Sequence, residues 1–324
     1  MTKTWKQVAL SAAIAVSGTA AFAEFPDQDL RIIVPWGAGG GTDGIVRKIA
    51  SIAEEDFGQS IYIENIEGGV SATGISQLMS AGADGYTIGA LTYDSVVTVP
   101  WQGLLPDYDL DRLSFVARVT AEPDALIAST TSDFKTLDDV VAAAQEAPGK
   151  LKIGMQNVGS RLHLALLQLQ DERDVTFKLI AYPGGAAGQK EAMLNGEVDL
   201  VATSLGDFSS MLDGGNARGV VEFSDIRNPT YTDVPTAAEE GLALRMGSFI
   251  VLAAPDGTPD DVIAKLEATF QSAYESEAFQ TWLAQVGVTP AWLGTDAVTP
   301  WVDQTKSTIH DQLNALVADG IISK

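Results

Sequence analysis

Residues 30–44, Leu-Arg-Ile-Ile-Val-Pro-Trp-Gly-Ala-Gly-Gly-Gly-Thr-Asp-Gly, constrain this chain more than any other stretch. Leu30 to Val34 is a short apolar run rich in β-branched residues, and Pro35 stops it, which reads as a strand. Four glycines follow within five positions. Thr42 and Asp43 then offer an N-cap, and Ile45, Val46, Ile49 and Ile52 recur at helical spacing. The segment is therefore strand, glycine-rich turn and helix start. The first N–H groups of a helix have no partner inside it, and the dipole there is positive. Glycines let a ligand approach that backbone, which makes a candidate anion pocket. Glycine is also the default residue of strained turns, so the stretch alone also fits a turn that binds nothing.

Residues 1–23 read as a secretory leader rather than as part of the fold. Lys3 and Lys6 form a positive head, Val8 to Val16 an apolar centre broken only by Ser11, and Ala21-Phe22-Ala23 an A-x-A cleavage site. Removing 23 of the 324 residues leaves about 300, or roughly two domains at ~150 residues each. There is no cysteine, so stability must come from packing alone. The net charge of −23 makes nucleic acid and anionic membranes poor partners. Only two histidines occur, His163 and His310, and neither stands in a zinc-ligand spacing; no calcium loop of the D-x-D-x-D-G kind is present. No metal and no cofactor is expected.

Strand and helix signals alternate along the rest of the chain, which predicts parallel sheets with helices on both faces. Phe115–Val119 and Ala125–Ala128 read as separate strands, Thr92 to Asp111 as irregular, and Thr136 as the cap of a helix reaching Ala147. Glycine-bearing strand-to-helix junctions fall at 36–44, 156–160 and 183–188, and Thr203-Ser204-Leu205-Gly206-Asp207 forms a hydroxyl-rich fourth. In open α/β sheets, ligands sit where such junctions gather. Trp36, Tyr93, Tyr182 and Phe249 fall near strand ends; each alone suits a core, and together they could line an apolar cleft wall.

Two catalytic readings compete. Gly39 to Gly44 satisfies G-x-G-x-x-G, with Glu64 about twenty residues on, the outline of a dinucleotide-binding oxidoreductase. The first motif glycine, however, comes five residues after Val34, where a tight turn is needed, and a leader takes the chain away from nicotinamide cofactors. Ser160 and His163, at i and i+3, could serve a secreted α/β hydrolase with Asp207 as orienter. No G-x-S-x-G elbow surrounds Ser160, so it reads instead as a helix cap and His163 as a local hydrogen-bonding group.

Val34-Pro35-Trp36…Gly39-Gly40-Gly41-Thr42-Asp43 resembles the opening motif of the periplasmic receptors of tripartite tricarboxylate transporters, the Bug family. Further similarities follow in order: Asp84-Gly85-Tyr86-Thr87, Pro148-Gly149-Lys150-Leu151, Gly159-Ser160…His163-Leu164, Gly196-Glu197-Val198-Asp199, Asp233-Val234-Pro235-Thr236 and Pro255…Gly257-Thr258-Pro259. They span nearly the whole chain after the leader. The resemblance implies an α/β, type II periplasmic-binding-protein fold, with two α/β domains and a ligand cleft between them. It places domain 1 at 24–122 and 246–324 and domain 2 at 123–245, with crossings near 119–126 and 243–248. It implies a small carboxylate held by backbone N–H groups and delivered to membrane transporter subunits, and hence a monomeric receptor, not an enzyme. The contacts it implies are Trp36, Gly37, Ala38 and Gly40, then Ser160 and His163, Gly184, Gly185 and Ala186, and Thr203 and Ser204. Thr42 at the helix start and the aromatics Tyr93 and Phe249 complete the candidate ligand-binding set. The family usually carries Tyr-Lys-Gly where Tyr182-Pro183-Gly184 stands here, and a Trp near Ser248-Phe249, so ligand identity is not inherited.

The leader predicts a periplasmic protein cut between Ala23 and Glu24. The intact mass of material released from the periplasm should begin at Glu24; a retained Met1 would refute export by cleavage.

Overall fold

The computed structural model describes residues 25–182 and 186–322. The leader, Gly184 and Gly185 lie outside the described residues. Strands β1 (Leu30–Val34), β2 (Ile61–Asn65) and β3 (Thr87–Leu91) run parallel, with β1 in the middle. Helix α1 (Gly41–Phe57) buries Ile45, Val46, Ile49, Ala50, Ala53 and Phe57, the stripe its spacing announces, and ends on left-handed Gly58. Its N-cap is Gly40, not Thr42 or Asp43. The helix starts two to three residues early, and Asp43 serves it from inside: its carboxylate reaches back to the Gly39 N–H at 2.8 Å. Helix α2 (Ala72–Met79) follows. The stretch expected to be irregular holds a π-helical turn at 94–98 and the short α3 (Val99–Gln102).

Strand β4 (Leu113–Ser129) joins what reads in sequence as two strands. Ala121-Glu122-Pro123 looks like a break because proline cannot donate to a ladder. Here β4 changes partners at that point. Residues 113–123 pair antiparallel with β9 (Gly247–Pro255), and residues 124–129 pair with β7 (Leu200–Ser204) and β8 (Ala217–Glu222). Bonding resumes at once, with the Asp124 N–H donating to the Met246 carbonyl at 2.9 Å. Beyond β7 lie β5 (Lys152–Met155) and β6 (Lys178–Ala181), again parallel.

Among the described residues this makes one ten-stranded sheet ordered β2-β1-β3-β9-β4-β7-β5-β6, with β8 and β10 (Pro290–Leu293) also against β4. The sheet is mixed, which corrects the all-parallel expectation: the strands of each βα alternation are parallel, and the long strands that join the two halves run against them. The sequence reading also passes over β10, a four-residue edge with no alternation.

Helices α4 (Leu137–Glu146), α5 (Arg161–Arg173), α6 (Ala186–Leu194) and α7 (Ser209–Asp213) belong to the β5–β8 half. Thr136 and Asp139 close a capping box at α4. Helices α8 (Asp260–Glu275) and α9 (Glu277–Val286) cover β1 and β9 with α1, sealing a core around Ile45, Ile49, Phe270 and Phe279. Helix α10 (Thr295–Ala318) packs back along the first half, where His310 Nε2 meets the Val97 carbonyl at 3.0 Å.

Gly247 sits opposite Pro123 where the long strands pass between halves. A Cβ built there would lie 2.3 Å from the Glu122 carbonyl oxygen and 2.8 Å from Pro123 Cα. Backbone on both sides cannot swing aside as a side chain can. Gly247→Ala should therefore cost about 1–3 kcal/mol, the range for overpacking. Urea unfolding should show a lower midpoint at unchanged slope; an unshifted midpoint would mean that the crossing has slack.

Candidate functional site

The carboxyl ends of β1, β3, β5 and β7 open onto one cavity of about 590 Å³. It is lined by Trp36 to Thr42 after β1, Thr92 and Asp94 after β3, Gln156 after β5, and Thr203, Ser204 and Asp207 at and after β7. Ala186, Ala187 and Gln189 of α6, Arg161 and Leu162 of α5, and Glu67 add to the wall. Glu122 and Ser248, paired across β4 and β9, form the floor. Both halves of the sheet thus contribute, at the place where α/β sheets bind ligands.

A polar cluster fixes the glycine loop. Asp43, 2% exposed, accepts from the Gly39 N–H at 2.8 Å, Arg47 Nε at 2.9 Å and Asn65 Nδ2 at 2.9 Å. Burial by itself would raise the Asp43 pKa; the hydrogen bonds from Arg47, Gly39 and Asn65 outweigh it and hold the group below its usual value. Asn65 also donates to the Trp36 carbonyl at 2.9 Å, and Trp36 Nε1 donates to Thr92 Oγ1 at 3.2 Å. Gly39 takes φ +81°, which glycine adopts freely and L side chains rarely do. The Gly40 N–H turns inward to the Gly37 carbonyl at 3.3 Å. The N–H groups of Gly41 and Thr42 open the helix and meet no acceptor among the described residues.

Of the expected contacts, Trp36, Gly37, Ala38, Gly40, Thr42, Ala186, Thr203 and Ser204 come together around this cavity. Ser160 and His163 do not line it. Ser160 caps α5: its Oγ accepts from the His163 N–H at 3.3 Å and donates to the Asn157 carbonyl at 2.7 Å. His163 Nδ1 accepts from the Gly159 N–H at 2.9 Å, and burial lowers its pKa. Asp207 accepts from Thr203 Oγ1 at 3.0 Å instead of orienting the histidine. The three groups of the hydrolase reading are therefore engaged separately. Tyr93 and Phe249 also miss the cavity. They stand 6.3 Å apart behind the floor and line a second hollow of about 440 Å³ with Trp301.

Apart from Asp207, sequence reasoning passed over the carboxylates of the cavity. At the end of β3 it selected the aromatic Tyr93, while the neighbours Thr92 and Asp94 face the ligand side. Asp124 is completely buried under the floor and accepts from Arg161 Nε at 2.9 and 3.2 Å. Burial alone would lower the Arg161 pKa, but the charges of Asp124 and Asp94 keep it protonated. Burial lifts Asp124 to about 6 despite Arg161. Desolvation, with the charge of Asp207 added, pushes Glu122 up from 4.5 to about 7.

The Glu122 shift carries a sign. Between its unfolded value of 4.5 and about 7, the folded chain holds a proton that the unfolded chain releases. Stability from this group is therefore greatest at low pH and is lost as pH rises through that window. Glu122→Gln removes the slope. Relative to wild type, the variant should gain on the order of 1 kcal/mol between pH 5 and pH 8, after allowance for solvent screening. Urea titrations at both pH values measure it; an equal difference at both would refute the shift.

Comparison with known proteins agrees with this geometry. The family description "Tripartite tricarboxylate transporter family receptor" matches residues 45–316. A UPF0065 protein of Bordetella pertussis is 29% identical over 312 residues, 95% of this chain and 94% of its own length. Among solved structures, MatC of Rhodopseudomonas palustris with bound malate is 25% identical, with a TM-score of 0.75 over 89% of this chain and 99% of its own. R. palustris Rpa4515 with adipate is also 25% identical, with a TM-score of 0.78 over 88% and 96%. No helix among the described residues is long and apolar enough to cross a membrane. With its α/β fold, its cleft between two halves and a family match over most of its length, the chain belongs to the tripartite tricarboxylate transporter receptors, a family of periplasmic solute-binding proteins.

Proposed function

We propose that this chain is an extracytoplasmic receptor that captures a small carboxylate in the cleft and delivers it to the membrane subunits of a tripartite tricarboxylate-type transporter. The observation that carries the reading is the clamped glycine loop, with the start of α1 facing Thr203 and Ser204 across a cavity built for a small molecule. Gly41 and Thr42 present helix N-terminal N–H groups to that space, and such groups bind anions. Relatives holding malate and adipate set the size class. The protein acts as a monomer, reaches the periplasm with a leader cut after Ala23, and is not an enzyme.

Residues 24–122 with 246–324, and residues 123–245, act as two domains. The chain passes between them through β4 and the segment entering β9, and they close on the ligand as rigid bodies. Ser160 and His163 shape the α5 start from behind.

Ligand binding should be read first as stability. A ligand at 100 times its dissociation constant, bound only to the folded state, adds ~2.7 kcal/mol. A thermal-shift screen of small carboxylates should give a few clear hits, and NAD none. Gly40→Val tests the loop. Gly40 has φ −75°, which valine tolerates, but a Cβ there lies 3.3 Å from the Gly37 carbonyl oxygen and crowds the start of α1. The variant should keep its circular dichroism and lose at least about tenfold in affinity, or ~1.4 kcal/mol, by calorimetry. Full affinity in Gly40→Val would show that the anion sits elsewhere.

A further inference from the structure

The cleft carries the wrong charge for a ligand that is only an anion. Arg161 is the one cation lining it among the described residues, and its Nε is committed to both oxygens of Asp124. Four carboxylates face the space: Glu67, Asp94, Glu122 and Asp207. Two of them flank the glycine loop itself. A Cβ on Gly37 would lie 3.1 Å from Glu67 Oε1, and one on Gly41 would lie 3.5 Å from Asp207 Oδ1. Asp94 is only 4% exposed, and its one hydrogen bond is from Thr98 Oγ1 to Oδ1 at 2.8 Å; Oδ2 has no partner among the described residues. Burial raises the Asp94 pKa although the charge of Arg161 opposes it, so a further cation nearby would favour its ionised form. The acidic groups do not converge on a point: among the described residues no three of them gather as metal ligands. A positive charge carried by the ligand would offset this acidic lining.

We infer that the ligand is an amino carboxylate, a small molecule that seats its carboxylate on the N–H groups at the start of α1 and places a cationic nitrogen beside Asp207 and Glu122. A dicarboxylate on the same loop would bring a second negative charge into a lining that already holds Glu67, Asp94, Glu122 and Asp207. A nitrogen cation on the same molecule turns that contact into attraction, and the low-dielectric floor strengthens it. The inference rests on the receptor reading and names the ligand class of its site.

Two length-matched series decide it, measured by calorimetry at pH 8, where Glu122 is ionised. One holds hexanoate, adipate, 6-aminohexanoate and 2-aminohexanoate; the other holds butyrate, succinate, 4-aminobutyrate and 2-aminobutyrate. An amino carboxylate should bind at least about tenfold more tightly than the mono- and dicarboxylate of its own length. Glu122→Gln and Asp207→Asn are near-isosteric, and circular dichroism confirms their fold; each should erase most of that preference, and the pair should raise dicarboxylate affinity. Tightest binding by succinate or adipate would overturn the inference and leave the receptor reading standing. A preference for amino carboxylates that survives both substitutions would overturn the placement of the nitrogen. Binding by no carboxylate in either series or in the wider thermal-shift screen would remove both readings together.

Discussion

The ion pair between Arg161 and Asp124 governs what the cleft can be. Asp124 is the first residue of β4 to leave β9 and pair with β7, and it has no solvent exposure. Arg161 is the first residue of α5. The pair thus ties the start of a helix in one half to the strand that joins the halves. Taking two such charges out of water is expensive, and losing one partner leaves the other stranded at about 3–5 kcal/mol. Arg161 is therefore held by the fold before any ligand arrives. Reading the α5 start from sequence singles out Ser160 and His163 and not Arg161, because the partner of Arg161 lies 37 residues away on another element.

Arg161, the one cation lining the cleft among the described residues, gives its Nε to Asp124, and the backbone adds positive potential of its own. The Asp43 cluster supplies it by geometry rather than by charge. One buried carboxylate collects Gly39, Arg47 and Asn65, and Asn65 in turn holds the Trp36 carbonyl. The loop is pinned at both ends, and Gly41 and Thr42 are left pointing out. The chain's net charge of −23 does not forbid an anion there, because exposed charges are screened beyond ~8 Å at physiological salt while N–H groups act at contact distance. The carboxylates that matter are the few inside that distance.

Much of the fold was legible because it is local. The cap at Thr136 marks α4, and the β-branched run marks β1. The glycine loop and the Thr203-Ser204 junction were legible as one site because both end parallel strands. What escaped was decided by distant partners. Proline inside β4 reads as a stop until β7 and β9 are seen to hand the strand over at that residue. Tyr93 and Phe249 carry aromatic rings at the right strand ends, yet their side chains go behind the floor, toward Trp301. Alternation along a strand places neighbours on opposite faces, and sequence alone does not say which face the cleft takes.

The floor shared by the two hollows follows from that alternation. Ala121 and Phe249 are paired, as are Glu122 and Ser248, on consecutive rungs of the same ladder. The first pair serves the aromatic hollow alone, and the second borders both hollows. Glu122 lines the same cavity as Asp207, and desolvation together with the charge of Asp207 favours its neutral form. The rung that passes between the two halves of the sheet therefore also sets the charge at the cavity floor.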